Sequence, residues 1–426
     1  MTDPDIPLSP YGKFPATKIV SDDPSEGHYQ SLSQRANGID HTHTPNNHGA
    51  RPIHPTLPDH VVQALLEQGF TRGLAEALYR NNIAFSLRIW IVDNSGSMAE
   101  RDGQRLVASS TRRRTLTQQS CTRWRELQDT VEYHAQMAAL LQAPTQFRLL
   151  NDPGRLSGPQ YLQVGESIDR LDEDLARTLS TIQNTSPGDG TPLIGHLQAI
   201  RRQIKEIEPT LRQTGAKVVT VLATDGIPTD EQGHTSAQLQ RDFAQALRDL
   251  QDLPVWIVVR LCTNDDRVLN FWNRIDKDLE LSHEVLDDFC AEGKEIYQYN
   301  PWLNYGLPLH RMRELGFYNR VFDLLDERKL SVEELRDFMG ILFGTDVMNL
   351  LPDPQLEWKE FCIAISNLVA QEQKQWNPIT RRMEPWVNVR RLQREYGGAL
   401  ETVKRAVWIT SIVVVLLAVL IKLLEF

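Results

Sequence analysis

The chain has 426 residues, 41% of them hydrophobic and 24% charged, with 46 Lys+Arg against 56 Asp+Glu and a net charge of −10. That length calls for two units plus tails, the apolar content excludes a wholly disordered chain, and the acidic balance argues against nucleic acid as the main partner. The four cysteines, Cys121, Cys262, Cys290 and Cys362, form no CxxC pair, so neither a disulfide framework nor a zinc module is expected.

Residues 1–55 are rich in proline and polar residues, show no sustained apolar period and read as a disordered N-terminal region. They hold His28, His41, His43, His48 and His54, which read as part of a solvated linker rather than a metal tract. The opening residues lack both a basic and an apolar region of the kind a secretory signal needs. Residues 56–82 follow as a helical lead-in, in which Leu65, Phe70, Leu74 and Leu78 fit two short amphipathic helices joined at Gln68-Gly69-Phe70. The Gly-Phe turn followed by Ala75-x-x-Leu78 weakly resembles the first two helices of a ubiquitin-associated domain. Packing against the following domain is the plainer expectation.

From Phe85 the pattern becomes α/β. Continuous apolar runs at 86–93, 217–225 and 254–262 read as buried parallel strands, with shorter strands at 147–150 and 161–164. Helix-period segments at 122–142, 168–182, 192–207 and 236–250 alternate with them. Such alternation predicts a doubly wound, mostly parallel sheet with helices on both faces and a ligand site at the carboxyl ends of its strands.

Three predicted loops meet at that edge. The first strand ends in Asp93-Asn94-Ser95-Gly96-Ser97, the loop before the 192–207 helix reads Gly188-Asp189-Gly190-Thr191-Pro192, and strand 217–225 ends in Thr224-Asp225-Gly226. Two carboxylates and three hydroxyls make an all-oxygen set, suited to a hard cation and unsuited to zinc. There are too few carboxylates for a closed calcium cage, so Mg²⁺ (or Mn²⁺) is expected.

Asp-x-Ser-x-Ser, the Thr-Pro-Leu loop and the Thr-Asp-Gly strand end, in this order, resemble the metal-ion-dependent adhesion site of the von Willebrand factor type A domain. The resemblance covers residues 83–285. It implies that Ser95, Ser97 and Thr191 bind the metal directly, that Asp93 and Asp225 supply charge and orient waters, and that a partner protein's acidic side chain completes the coordination. Residues 99–121 depart from the family pattern as an insertion expected to form a hairpin. It carries Arg101, Arg105, Arg112, Arg113 and Arg114, with Arg123 and Arg125 just beyond. Over the metal, these would favour an acidic partner, although a solvated hairpin is the plainer expectation.

Residues 286–400 are expected to form an α-helical C-terminal region. Asp323 to Glu334 has the length of a calcium-binding loop but places Leu325 and Arg328 at its centre, and Ser331-x-x-Glu334 reads instead as a capping box. Residues 406–424 hold one charge, Lys422, and read as a transmembrane helix of roughly 28 Å. Eight basic residues against three acidic ones over 374–405 predict a single-pass C-terminal anchor with the bulk of the chain cytosolic. No nucleophile elbow, phosphate loop or DxD start supports an enzyme. The expected function is a membrane-tethered, metal-dependent protein-binding protein. A ubiquitin or protein-quality adaptor using the 57–83 helices is the alternative.

Overall fold

A computed structural model describes residues 57–108, 116–230, 233–263, 265–279 and 283–397. The chain divides into two units: one of 57–70, 75–291 and 308–318, the other of 71–74, 292–307 and 319 onward.

The first unit is built on a six-stranded sheet. Its strands are β1 (Phe85–Val92), β4 (Thr145–Leu149), β5 (Tyr161–Val164), β6 (Lys217–Thr224), β7 (Val255–Leu261) and β8 (His283–Leu286), in the order β5-β4-β1-β6-β7-β8. Only the β4–β5 pair is antiparallel. Side chains alternate across a strand, and both faces here are apolar. Ile89, Ile91, Val218, Leu222, Ile257 and Val259 belong to one core, together with α5 (Leu193–Thr214), α6 (Ala237–Arg248) and α7 (Asp266–Leu279). Trp90, Val92, Val219, Val221 and Val258 belong to the other, with α3 (Arg123–Leu140) and α4 (Leu171–Asn184). Each fully buried large side chain contributes about 1.5–3 kcal/mol, so both helical layers are held mainly by apolar burial.

Two departures from the sequence reading stand out, and the first has a clear cause. Helix α5 runs past Pro209 to Thr214, although proline removes a helical hydrogen bond. Leu211 is 2% exposed, so its burial rewards the extra turn, and Gly215 closes it at φ 68° in the left-handed region. Helix α7 and strand β8 complete the sheet's far side where no elements were assigned. The expected hairpin is present: β2 (Gly103–Ala108) pairs antiparallel with β3 (Leu116–Cys121). Arg112, Arg113 and Arg114 lie outside the described residues.

The lead-in forms α1 (Asp59–Glu67) and α2 (Arg72–Ala84). Leu65, Phe70, Leu74 and Leu78 are all 2% exposed or less. The first unit also takes in 308–318, through an ionic cluster. Buried Glu314 accepts from His134 Nε2 at 2.9 Å and Arg311 Nη1 at 2.8 Å, and Arg260 Nη2 reaches Glu126 at 2.5 Å. Burial opposes ionisation of Glu314, but Arg311, His310 and His134 hold its carboxyl well below the usual range. Burial drives His134 down to about 4, so its ring is neutral at pH 7.

The second unit contains most of α8 (Phe289–Tyr299), then α10 (Arg320–Glu327), α11 (Val332–Phe343), α12 (Thr345–Met348) and α13 (Trp358–Gln371); α9 (Leu307–Glu314) falls almost wholly in the first. Two short strands, which were not expected, accompany the helices. Strands β9 (Gln375–Asn377) and β10 (Arg382–Glu384) form an antiparallel hairpin. Buried Asn304 donates from Nδ2 to the carbonyls of Gln375 and Glu384, at 3.1 and 3.2 Å, and so ties the two strands together. The capping box at Ser331 and Glu334 is present, and Arg328 holds Glu334 at 2.8 and 2.6 Å. Among the described residues no helix is long and apolar enough to cross a membrane. The expected span at 406–424 lies outside them.

Candidate metal centre

Strands β1 and β6 are neighbours and parallel, so Asp93 and Asp225, each one residue past its strand, emerge side by side at the same edge. Both are buried, at 0% and 2% exposure. A short 3₁₀ turn at Gly96–Ala99 carries Ser97 back over them.

Direct hydrogen bonds join four of the five residues singled out in the sequence. The Ser95 N–H donates to Asp93 Oδ1 at 2.8 Å. The Ser95 and Ser97 hydroxyls are 3.2 Å apart, and the Ser97 hydroxyl donates to Asp225 Oδ1 at 2.8 Å. Thr191, 4% exposed, reaches the same edge by a different route. Its hydroxyl lies 3.5 Å from the position a Cβ would take on Gly226, beside Asp225.

The loop bearing Thr191 is held against β1 by the backbone. The Gly188 N–H donates to Asn94 O at 2.8 Å, and the Gly96 N–H donates to Asp189 O at 3.1 Å. Asn151 adds a brace, giving its Nδ2 to the carbonyls of Gly188 and Gly190 and its N–H to Asn94 Oδ1. Thr229 Oγ1 accepts from the Thr191 N–H at 2.7 Å. Gly190 has no room for a side chain, because a Cβ there would collide with the Asp230 carbonyl.

The electrostatics are unusual for an aspartate pair. Burial, and then the neighbouring charge of Asp225, raise the Asp93 carboxyl from 3.8 to about 6. Among the described residues, the groups that donate to Asp93 are neutral, among them the Ser95 N–H and the Thr224 hydroxyl, the latter at 2.6 Å to Oδ2. Asp225 is also raised by burial, which outweighs its pairing with Arg123.

That pairing was not foreseen. Arg123, the first residue of α3, donates from Nη1 to Asp225 Oδ2 at 2.8 Å. Its Nε and Nη2 grip Asp102 at 2.7 and 2.6 Å. Hydrogen bonds to Asp102 first, then to Asp225, raise the Arg123 pKa above its ordinary value. Of the other described arginines in and beside the insertion, Arg101 is exposed, and Arg105 and Arg125 pair with Asp129, at 3.4 and 2.5 Å. Thr224 appeared in its motif without a role, and Asn151 escaped the sequence reading. Thr224 stands next to Asp225 in the motif and was legible there, whereas nothing local marks Asn151.

The donor set fits a small hard divalent cation. It is all oxygen, and it contains a buried Asp93 to which no cation among the described residues is hydrogen-bonded. Among the described residues no group of three or more His, Cys, Asp or Glu could hold a metal, and a set of two carboxylates with hydroxyls is of a different kind.

No family model matches the chain, and no curated protein matches it. Twenty-three chains of solved structure do. One is the PilB minor pilin from Streptococcus sanguinis, 14% identical with a TM-score of 0.31. The match covers 48% of this chain and 57% of that one, so the chain spans little more than half the pilin's length. A likeness at that score carries no argument about fold or function.

Proposed function

We propose that the first unit is a von Willebrand factor type A domain whose Asp93, Ser95, Ser97, Thr191 and Asp225 hold Mg²⁺ or Mn²⁺. The ion would capture an acidic side chain of a partner protein. The observation that carries this reading is the convergence of two buried carboxylates and two hydroxyls within hydrogen-bonding distance of one another at a parallel sheet edge, with Thr191 beside them. Two neighbouring carboxylates in a low-dielectric site repel, and a divalent ion relieves that cost while keeping an open coordination position for an anion.

The bound ion supplies a Lewis-acidic position for a carboxylate. The chain does the rest. Asn151 and the Gly188 and Gly96 amides hold the Thr191 loop in register with Ser95 and Ser97. Thr224 and the Ser95 N–H fix the orientation of Asp93, so the oxygens are arranged before the ion arrives. The proposed activity is binding rather than catalysis. Residues 406–424 would tether the protein to a membrane with the binding unit on the cytosolic side.

The experiment is recovery of partners on the full-length chain in Mg²⁺, in chelator, and with Asp93→Ala. Partners lost in both of the latter conditions support the reading. Partners retained in chelator would shift attention to the second unit. Ubiquitin binding through the lead-in is disfavoured by one observation: Phe70, on which it would depend, is 2% exposed.

A further inference from the structure

The two aspartates at the sheet edge are not treated alike. Both oxygens of Asp93 accept from neutral groups, while Asp225 gives Oδ1 to the Ser97 hydroxyl and Oδ2 to the Arg123 guanidinium. Among the described residues, Arg123 is the one cation hydrogen-bonded to either carboxylate. Its side chain is 13% exposed and that of Asp225 is 0% exposed, so the pair is shielded from solvent and screened little by salt.

Arg123 is also built to stay nearby when not on Asp225. Its backbone is fixed at the start of α3, where its N–H donates to Glu100 O at 3.0 Å. Thr122 caps the helix by accepting from the Arg125 N–H. The Nε and Nη2 edge of the guanidinium forms a two-pronged bond to Asp102, which stands at the turn before β2 and is 54% exposed. The guanidinium is rigid, so Nη1 leaves Asp225 by a shift of the whole group that the exposed Asp102 side chain follows, its fork intact.

We infer that Arg123 is a tethered cation that competes with the divalent ion for Asp225, so that Asp225 is paired without metal and the site is loaded only when the ion displaces the guanidinium. This rests on the metal-capture reading above. The physical reason is direct. A carboxylate oxygen that accepts from a guanidinium at 2.8 Å has one lone pair engaged, and a positive charge at that distance repels an incoming cation. The insertion then has a definite job: Asp102 arrives with it and supplies the second anchor. The arginine thereby sets a threshold for metal loading that a metal site of the same five residues without it would lack.

The test uses the full-length chain and Mn²⁺ as probe. Wild type and Arg123→Gln are titrated by calorimetry, and the wild type is crystallised with Mn²⁺. Gln removes the charge, so Mn²⁺ is expected to bind at least ~tenfold more tightly to Arg123→Gln. In Mn²⁺-bound wild-type crystals, Nη1 is expected beyond hydrogen-bond distance from Asp225 while the fork to Asp102 persists. Wild-type binding with equal or weaker binding in Arg123→Gln would overturn the competition and leave the metal reading standing. No Mn²⁺ binding in either protein would remove the metal reading itself, and the competition with it. The crystal comparison decides even if Arg123→Gln fails to fold, because Mn²⁺ bound with Arg123 still on Asp225 contradicts the inference.

Discussion

Replacing Asp93 by Asn separates a site kept for an ion from one kept for loop structure. In the metal-free protein the buried Asp93 carboxyl is raised from 3.8 to about 6. A shift of that size means that keeping it ionised at pH 7 costs about 3 kcal/mol of folding stability. Asn removes that charge. It keeps one acceptor for the Ser95 N–H, and the Thr224 hydroxyl can turn to accept from the new amide, so the lost hydrogen bonding is worth about 1 kcal/mol. The net expectation in chelator at pH 7 is a gain of about 2 kcal/mol, or about 4–8 °C in Tm.

The pH dependence has a defined sign. A carboxyl whose folded pKa lies above its unfolded one binds more protons when folded, so stability falls as pH rises between about 4 and 6. The advantage of Asp93→Asn is therefore about 3 kcal/mol gross at pH 7, about half that at pH 5, and close to nil below pH 4. Saturating Mg²⁺ reverses the order, because an ion at a hundred times its Kd stabilises wild type by about 2.7 kcal/mol and the variant by nothing. Thermal unfolding from pH 4 to 7, in chelator and in Mg²⁺, reads all of this. An Asp93→Asn protein less stable than wild type in chelator at pH 7, or equally stabilised by Mg²⁺, would refute the reasoning.

Four further outcomes are expected. Thr191→Ala removes a hydroxyl that makes no hydrogen bond to the Asp–Ser cluster, so calorimetry should show metal affinity falling about tenfold, with Tm in chelator nearly unchanged. Glu314→Ala strips the buried counter-charge from Arg311 and Arg260, and denaturant unfolding should show a loss of about 3–5 kcal/mol. Phe70→Ala opens a cavity at a side chain 2% exposed and should cost about 3–5 kcal/mol. Wild type, titrated with ubiquitin by nuclear magnetic resonance, should show no shifts at the lead-in.

Legibility in the sequence followed the range of the forces involved. Strands β1, β6 and β7 announced themselves as unbroken apolar runs because they are buried on both faces, and β5 was placed at its observed bounds. Helix α7 has apolar residues at Val268, Phe271, Trp272 and Ile275, a helical spacing that was present but not read. The β9–β10 hairpin left a weaker trace: three-residue strands carry little periodicity, and their pairing depends on Asn304, some seventy residues earlier. Within the site, Asp93, Ser95, Ser97, Thr191 and Asp225 were readable because each sits in a short motif at a strand end or helix start. Arg123 and Asp102 were not, since their importance comes from a side-chain bridge spanning 102 residues of sequence to Asp225. Composition flagged a cluster of insertion arginines, but only geometry shows which of the described ones faces the carboxylates.

The most direct measurement is a Mn²⁺ titration of the full-length chain followed by electron paramagnetic resonance, with wild type and Asp93→Ala side by side. One Mn²⁺ per wild-type chain, displaced by excess Mg²⁺ and absent from Asp93→Ala, is the expected result. Wild type that takes up no Mn²⁺ at millimolar concentration, or an Asp93→Ala chain that binds it as well, would contradict a metal centre at this sheet edge.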